Sequence, residues 1–187
     1  MENETPRKES GWDLLRFALL MLLFVIPIRL FIAQPFIVSG DSMLPTFHNK
    51  DYLIIDELSY RLTDPKRSDV IIFRYPKNPK VFYIKRIVGL PNETVHVEGG
   101  TITITNDEHP EGLVLEQPFV KNGSIDAPNN FELGDDEYFV MGDNRSHSSD
   151  SRFWGPVKKD LIIGRALVRL FPASDVGLMP GHYKQPE

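Results

Sequence analysis

Two residues of this chain have the type and setting for nucleophilic catalysis, Ser42 and Lys85. Ser42 lies in Ser39-Gly40-Asp41-Ser42-Met43-Leu44-Pro45-Thr46, shortly after a long apolar run. Gly40 leaves the backbone free to turn an amide toward an oxyanion. Met43, Leu44 and Pro45 supply an apolar flank for a peptide. A serine hydroxyl needs a base before it attacks anything, and without one the same stretch is an ordinary polar turn.

Lys85 is the candidate base, in Tyr83-Ile84-Lys85-Arg86-Ile87-Val88. Along a strand, Val81, Tyr83, Lys85 and Ile87 share one face, and Phe82, Ile84, Arg86 and Val88 share the other. Each face carries one cation, so alternation does not choose between them. Chemistry does, because a desolvated lysine loses its proton and arginine does not. To work near neutrality the amine must fall from about 10.4 to near 7, about 4 kcal/mol of differential solvation. The competing reading is an exposed edge-strand lysine.

A third block, Gly142-Asp143-Asn144-Arg145-Ser146-His147-Ser148-Ser149-Asp150-Ser151-Arg152, is dense in hydrogen-bonding groups. It reads either as a solvated loop or as a platform behind the base, where a serine hydroxyl orients the amine. Asp150 and Arg152 are placed to pair, and an exposed pair adds little stability. His147 with Asp143 or Asp150 completes a Ser–His–Asp set on paper. His48, His96, His109 and His182 are scattered without metal-ligand spacing. There is no HExxH, phosphate loop or dinucleotide fingerprint, so no metal or cofactor is expected.

The elements that must position these groups follow from the apolar pattern. The chain has 187 residues, enough for one modest domain and an anchor. A net charge of −5 argues against nucleic acid as a partner. The absence of cysteine removes disulfides, thiolate metal sites and a cysteine nucleophile together. Residues 17–33, FALLMLLFVIPIRLFIA, carry one charge, Arg29, and rise about 25 Å as a helix, near the lower limit for a bilayer core. Pro27 would kink that helix, which a membrane tolerates. No small-x-small cleavage site follows the run, and a buried core helix is the plainer alternative. The preferred reading is a signal anchor. Arg7, Lys8 and Arg16 would stay inside, though Glu2, Glu4, Glu9 and Asp13 dilute that bias.

From Phe36 the period becomes strand-like. Tyr52–Ile55, Val70–Tyr75, Val81–Val88, Thr94–Val97, Thr101–Thr105, Tyr138–Met141 and Ala166–Leu170 are the expected strands, with a hairpin turn at Gly99-Gly100. Turns or loops are expected at 64–69, 76–79, 89–92 and 127–130. The fold class is mainly β: an amino-terminal transmembrane helix, then an antiparallel β domain. The expected divisions are a cytoplasmic tail (1–13), the anchor (14–34), an extracytoplasmic domain (35–172) with a small inserted lobe (106–130), and a loose tail (173–187).

Together these blocks resemble bacterial type I signal peptidases, membrane-bound serine proteases with a Ser–Lys dyad. The anchor, Gly-Asp-Ser-Met-x-Pro-Thr, Lys-Arg-Ile-Val-Gly-Leu-Pro-Asn, and Gly-Asp-Asn-Arg-Ser-x-Ser-Ser-Asp-Ser-Arg-Phe-Trp-Gly stand in the expected order. The likeness runs from the anchor to about Phe171. It implies Ser42 as nucleophile, Lys85 as general base and Ser148 as the hydroxyl that hydrogen-bonds the amine. Asp150 and Arg152 become a bracing pair, and Gly142, Asp143 and Asn144 the structural opening of their block. Phe36, Val38, Met43, Leu53, Ile72, Tyr83 and Ile84 would line shallow pockets for small residues at −1 and −3. The implied fold is an all-β core of coiled sheets. The implied partners are exported preproteins and the bilayer, with the enzyme monomeric in the plasma membrane. Two positions depart from the pattern. Gly40 stands where some members carry a hydroxyl for the oxyanion, and Glu93 stands where many have glycine. The alternatives are a membrane-anchored β domain that only binds a partner, and a self-cleaving Ser–Lys protease of the SOS-repressor kind.

Overall fold

The computed structural model describes residues 11–31, 33–123 and 129–185, with the side chains of 24–33 excluded. The expectations for residues 1–10, for the side chains of Pro27 and Arg29, and for Ala127-Pro128 lie outside the described residues.

Helix α1 spans Gly11–Phe31. Strands follow at β1 Ala33–Ile37, β2 Tyr52–Asp56, β3 Val70–Tyr75, β4 Asn78–Gly89, β5 Thr94–Glu98, β6 Thr101–Thr105, β7 Leu113–Val114, β8 Asn129–Glu132, β9 Glu137–Met141, β10 Val157–Lys158, β11 Ile162–Phe171 and β12 Gly177–Leu178. Two single-turn helices, α2 Ser59–Leu62 and α3 Ser151–Trp154, connect them. Eight strands form one sheet in the order β1-β2-β11-β3-β4-β9-β10, with β12 also on β11. A second sheet has the order β7-β6-β5-β8. All pairings are antiparallel.

Alternation explains the second sheet directly. Val95 and Val97 on β5 and Ile102 and Ile104 on β6 turn inward, and the intervening threonines and His96 turn outward. Gly99-Gly100 makes the turn between them, as expected. The first sheet carries two further apolar clusters. One joins Val38, Met43, Phe47, Leu53 and Ile72, and the other joins Ile71, Phe73, Ile87, Val140 and Val157. The site lies between them, on β4 and the loop after β1.

Several expectations change. The helix begins before residue 14 and ends before 34, because Gln34 and Pro35 belong to β1, an edge strand on β2. Proline is tolerated at such an edge because no ladder partner needs its missing N–H. Among the described residues no helix is long and apolar enough to cross a membrane, the side chains of α1 being described only to Leu23. The described part of segment 106–130 joins the second sheet. Its β7 pairs with β6 and its β8 with β5, and Leu115 enters their core. The loop expected at 76–79 is shorter, since β4 already begins at Asn78. The tail after Pro172 is tied down through β12, Met179, Gly181, Tyr183 and Gln185.

Candidate active site

Ser42 sits on the loop after β1. Backbone bonds Val38 N–H to Asp51 C=O (2.9 Å) and Lys50 N–H to Val38 C=O (2.8 Å) pin the loop's base. Met43 and Phe47 anchor it from beneath, both fully buried. Met43 therefore belongs to the core below the serine, a correction to its expected place on the pocket wall. Lys85 lies on β4, opposite Ile71 of β3. Its Nζ is 2.7 Å from Ser42 Oγ and 2.9 Å from the Ile84 carbonyl oxygen. Only 4% of Lys85 is exposed. Burial pulls the amine down from 10.5 to about 8, against Asp150 and Asp143, whose charges push it up. Desolvation wins because it falls entirely on the charged form.

Arg86 points to the opposite face and settles what alternation left open. Its guanidinium donates to both carboxylate oxygens of Asp143 (2.9 and 2.7 Å) and to the Ser68 carbonyl (2.9 Å). It also lies 3.8 Å from the centroid of the Phe119 ring. Thr46 Oγ1 donates to Asp143 at 2.5 Å. The residue after Asp143 reaches the serine loop. Asn144 N–H donates to the Ser42 carbonyl (3.0 Å), and its side-chain amide donates to the Asp41 carbonyl (3.0 Å).

Asp150 and Arg152 pair at 2.8 and 2.9 Å. Their side chains are 0% and 5% exposed, so the pair is buried and is not the weak exposed kind. Asp150 also accepts from Gly142 N–H (3.1 Å), and Arg152 donates to the Arg145 carbonyl (2.7 Å). The pair thus braces the loop that carries Asp143 and Asn144. Gly142 is required by space: a Cβ there would lie 2.2 Å from Ser148 Oγ and 2.4 Å from the Ser42 carbonyl oxygen. Ser148 is buried at this point, and its hydroxyl has no hydrogen-bond partner among the described residues. The bond from Ser148 to Lys85 that the resemblance implied is not formed here, where Nζ is already held by Ser42 and Ile84. Gly40 is exposed, and its N–H donates to Asn49 Oδ1 (3.3 Å). Glu93 holds Arg67 (2.6 Å), Leu90 N–H (2.8 Å) and Asn106 (2.9 Å), a structural knot behind the second sheet.

A cleft of about 320 Å³ opens onto the Ser42–Lys85 contact, lined in part by Phe36, Val38, Leu53, Ile72, Tyr83 and Ile84. β4 pairs with β9 only from Arg86 onward, so, among the described residues, 82–85 have β3 on one side and an open edge on the other.

The family model described as signal peptidase, peptidase S26 matches residues 11–171. The chain belongs to the signal peptidase family. It is 34% identical over 183 residues to a probable signal peptidase I-2 of a Synechocystis species, covering 95% of this chain and 81% of that one. It is 37% identical over 165 residues to a signal peptidase I of Leptolyngbya laminosa, covering 84% and 78%. A signal peptidase I P of Bacillus subtilis subsp. natto is 30% identical, covering 91% of this chain and 95% of that one. The chain is thus a serine endopeptidase of the type I signal peptidases.

In this signal peptidase the fold brings together Ser42, Lys85, Asp143, Asn144, Ser148, Asp150 and Arg152, which sequence reasoning had singled out. It also puts Phe82, His147 and Ser149 on the cleft wall. Phe82 was missed because the pocket residues were taken from the resemblance, which named its same-face neighbour Ile84 but not Phe82. Phe82 packs edge-on against Phe36 of β1 at 5.6 Å, which brings it to the cleft. His147 hydrogen-bonds Ser146 (2.9 Å), and among the described residues no carboxylate pairs with it, so the Ser–His–Asp alternative has no support.

Proposed function

We propose that this enzyme removes amino-terminal signal peptides from exported preproteins at the outer face of the plasma membrane, with Ser42 as nucleophile and Lys85 as general base. The observation that carries this reading is the 2.7 Å contact between a buried amine and a serine hydroxyl on the cleft floor. A lysine whose pKa lies near 8 is uncharged in about one molecule in ten at pH 7, against about one in three thousand at 10.5. The neutral amine takes the Ser42 proton as Oγ attacks the scissile carbonyl. The resulting ammonium returns that proton to the leaving amine, and an acyl-enzyme forms. Lys85, neutral again, then activates the water that hydrolyses the ester.

The open edge of β4 beside residues 82–85 supports an extended peptide binding as an added strand. The aromatic and branched walls of the cleft leave room for small side chains at −1 and −3. Ser148 supplies a hydroxyl to the amine once Ser42 is acylated and no longer holds it. Its lack of a partner among the described residues supports that role. Developing negative charge meets the Ser42 N–H as one oxyanion donor. The Gly40 amide, occupied by Asn49, stands ready to be exchanged.

Helix α1 serves as the single-pass anchor. Its 21 residues rise about 31 Å, and Leu14, Phe17, Leu19, Leu20, Leu22 and Leu23 are exposed on the isolated chain. Holding enzyme and substrate in one bilayer raises their effective concentration. Preprotein processing by Ser42→Ala, Lys85→Ala and Lys85→Arg tests the reading: all three should be inactive yet folded. Lys85→Arg is the sharpest, since it keeps the charge and removes the base, and near-normal cleavage by it defeats the dyad.

A further inference from the structure

Residues 179–185 are held by a series of specific contacts. Met179 N–H donates to the Leu167 carbonyl (2.7 Å). The Gly181 carbonyl accepts from Arg86 Nη1 at 2.5 Å. Tyr183 donates to Glu116 (2.7 Å) and stacks edge-on against Phe119 at 5.8 Å. Gln185 bonds the Glu116 carbonyl through its amide nitrogen (2.9 Å), and its oxygen accepts from Glu116 N–H (3.2 Å). Gly181 has φ +75°, and a Cβ there would lie 2.6 Å from Thr46 Cγ2 and 3.2 Å from the Phe47 ring. The tail therefore presses directly on the loop that follows Ser42. The family model ends at residue 171, ahead of this segment.

We propose that the tail is a positioning clamp for the catalytic serine. It closes the fourth side of Arg86, and through Asp143 and Asn144 it fixes the Ser42 backbone. The chain of contacts is continuous. Gly181 completes the donor set of Arg86, whose other acceptors are Asp143 and Ser68. Phe119, held by Tyr183, covers the face of the same guanidinium. Asp143, fixed by Arg86 and Thr46, sets Asn144, which holds the carbonyls of Asp41 and Ser42. A buried guanidinium deprived of one acceptor and one aromatic cover re-orients toward water, and Asp143 must follow it. Arg86 adjoins Lys85 on β4, so a loosened tail disturbs both partners of the dyad. The inference rests on the Ser42–Lys85 reading, and the test separates the two.

The full-length enzyme is compared with a chain ending at Pro180 and with the double variant Tyr183→Ala/Gln185→Ala. Cleavage of one preprotein is followed, with Lys85→Ala as control. Folding is checked by thermal melting, and amide exchange is measured at Asn144. For folded variants the clamp predicts that kcat falls at least about tenfold and KM changes less than about threefold, since only the reacting groups are displaced. It also predicts faster exchange at Asn144, whose N–H is the last link to Ser42. If the shortened chain does not fold, the double variant decides by the same criteria. A folded variant with wild-type kcat and unchanged Asn144 exchange overturns the clamp. An active Lys85→Ala control instead overturns the dyad on which it rests.

Discussion

Replacing Lys85 by methionine keeps the length and apolar stem and removes the charge, which makes the cost of burying that charge measurable. In the folded chain the amine is pulled from 10.5 to about 8. At about 1.4 kcal/mol per tenfold, the buried ammonium costs about 3 kcal/mol. The folded value lies below the unfolded one, so between pH 8 and 10.5 the unfolded chain binds more protons. Wild-type stability therefore rises with pH across that window, and the penalty is fully present below pH 8. The variant lacks the penalty but loses the bonds to Ser42 Oγ and the Ile84 carbonyl, about 1 kcal/mol each at any pH. The variant should then be about 1 kcal/mol more stable than wild type at pH 7 and about 2 kcal/mol less stable at pH 11. Tyr60, a phenol pushed up by burial and by Asp69, titrates alike in both proteins and cancels. Urea unfolding of both full-length proteins in detergent at the two pH values measures the crossing. A stability difference that stays constant from pH 7 to 11 refutes the claim that burial depresses this amine.

Asp143→Ala leaves the Arg86 guanidinium buried and unpaired, and should cost about 3–5 kcal/mol in denaturant midpoints. Arg86→Met in the same chain should recover part of that loss, which a double-mutant cycle detects. Gly142→Ala drives a methyl into Ser148 Oγ and the Ser42 carbonyl, and should lower stability by about 1–3 kcal/mol and abolish cleavage. Ser148→Ala removes a hydroxyl that has no partner among the described residues, so melting should not fall. The acyl-enzyme should nevertheless accumulate in burst kinetics, because deacylation loses the hydroxyl that holds Lys85.

Much of the site was legible because its chemistry narrows the choice of residue. The residues alone left a turn serine, an edge-strand lysine and a Ser–His–Asp set as alternatives, and the ordered blocks that resemble the signal peptidases pointed to Ser42 and Lys85. The β5–β6 hairpin was equally plain, since alternation and Gly99-Gly100 agree. What stayed hidden depends on neighbours distant in sequence. Lys85 and Arg86 carry identical alternation, and what separates them is β9, which pairs only from Arg86 onward. The polar block 142–152 reads either as a solvated loop or as a platform, and pattern alone does not show that Asp150 and Arg152 are buried because each satisfies the other and the surrounding backbone. Met43 looks like a pocket residue in sequence, but the loop turns it down into the core beside Phe47. β7, β10 and β12 are two residues long and have no period to detect. The tail is held by a glycine carbonyl and by Tyr183 and Gln185, and hydrophobic patterning is blind to such contacts.

The most direct test of the central claim is the pH dependence of kcat/KM for preprotein cleavage by the wild-type enzyme. An uncharged Lys85 acting on Ser42 predicts a rise of about tenfold per pH unit on the acid side, levelling near pH 8. A profile flat from pH 6 to 9, or one still climbing toward 10.5, contradicts a lysine tuned by burial to accept the serine proton.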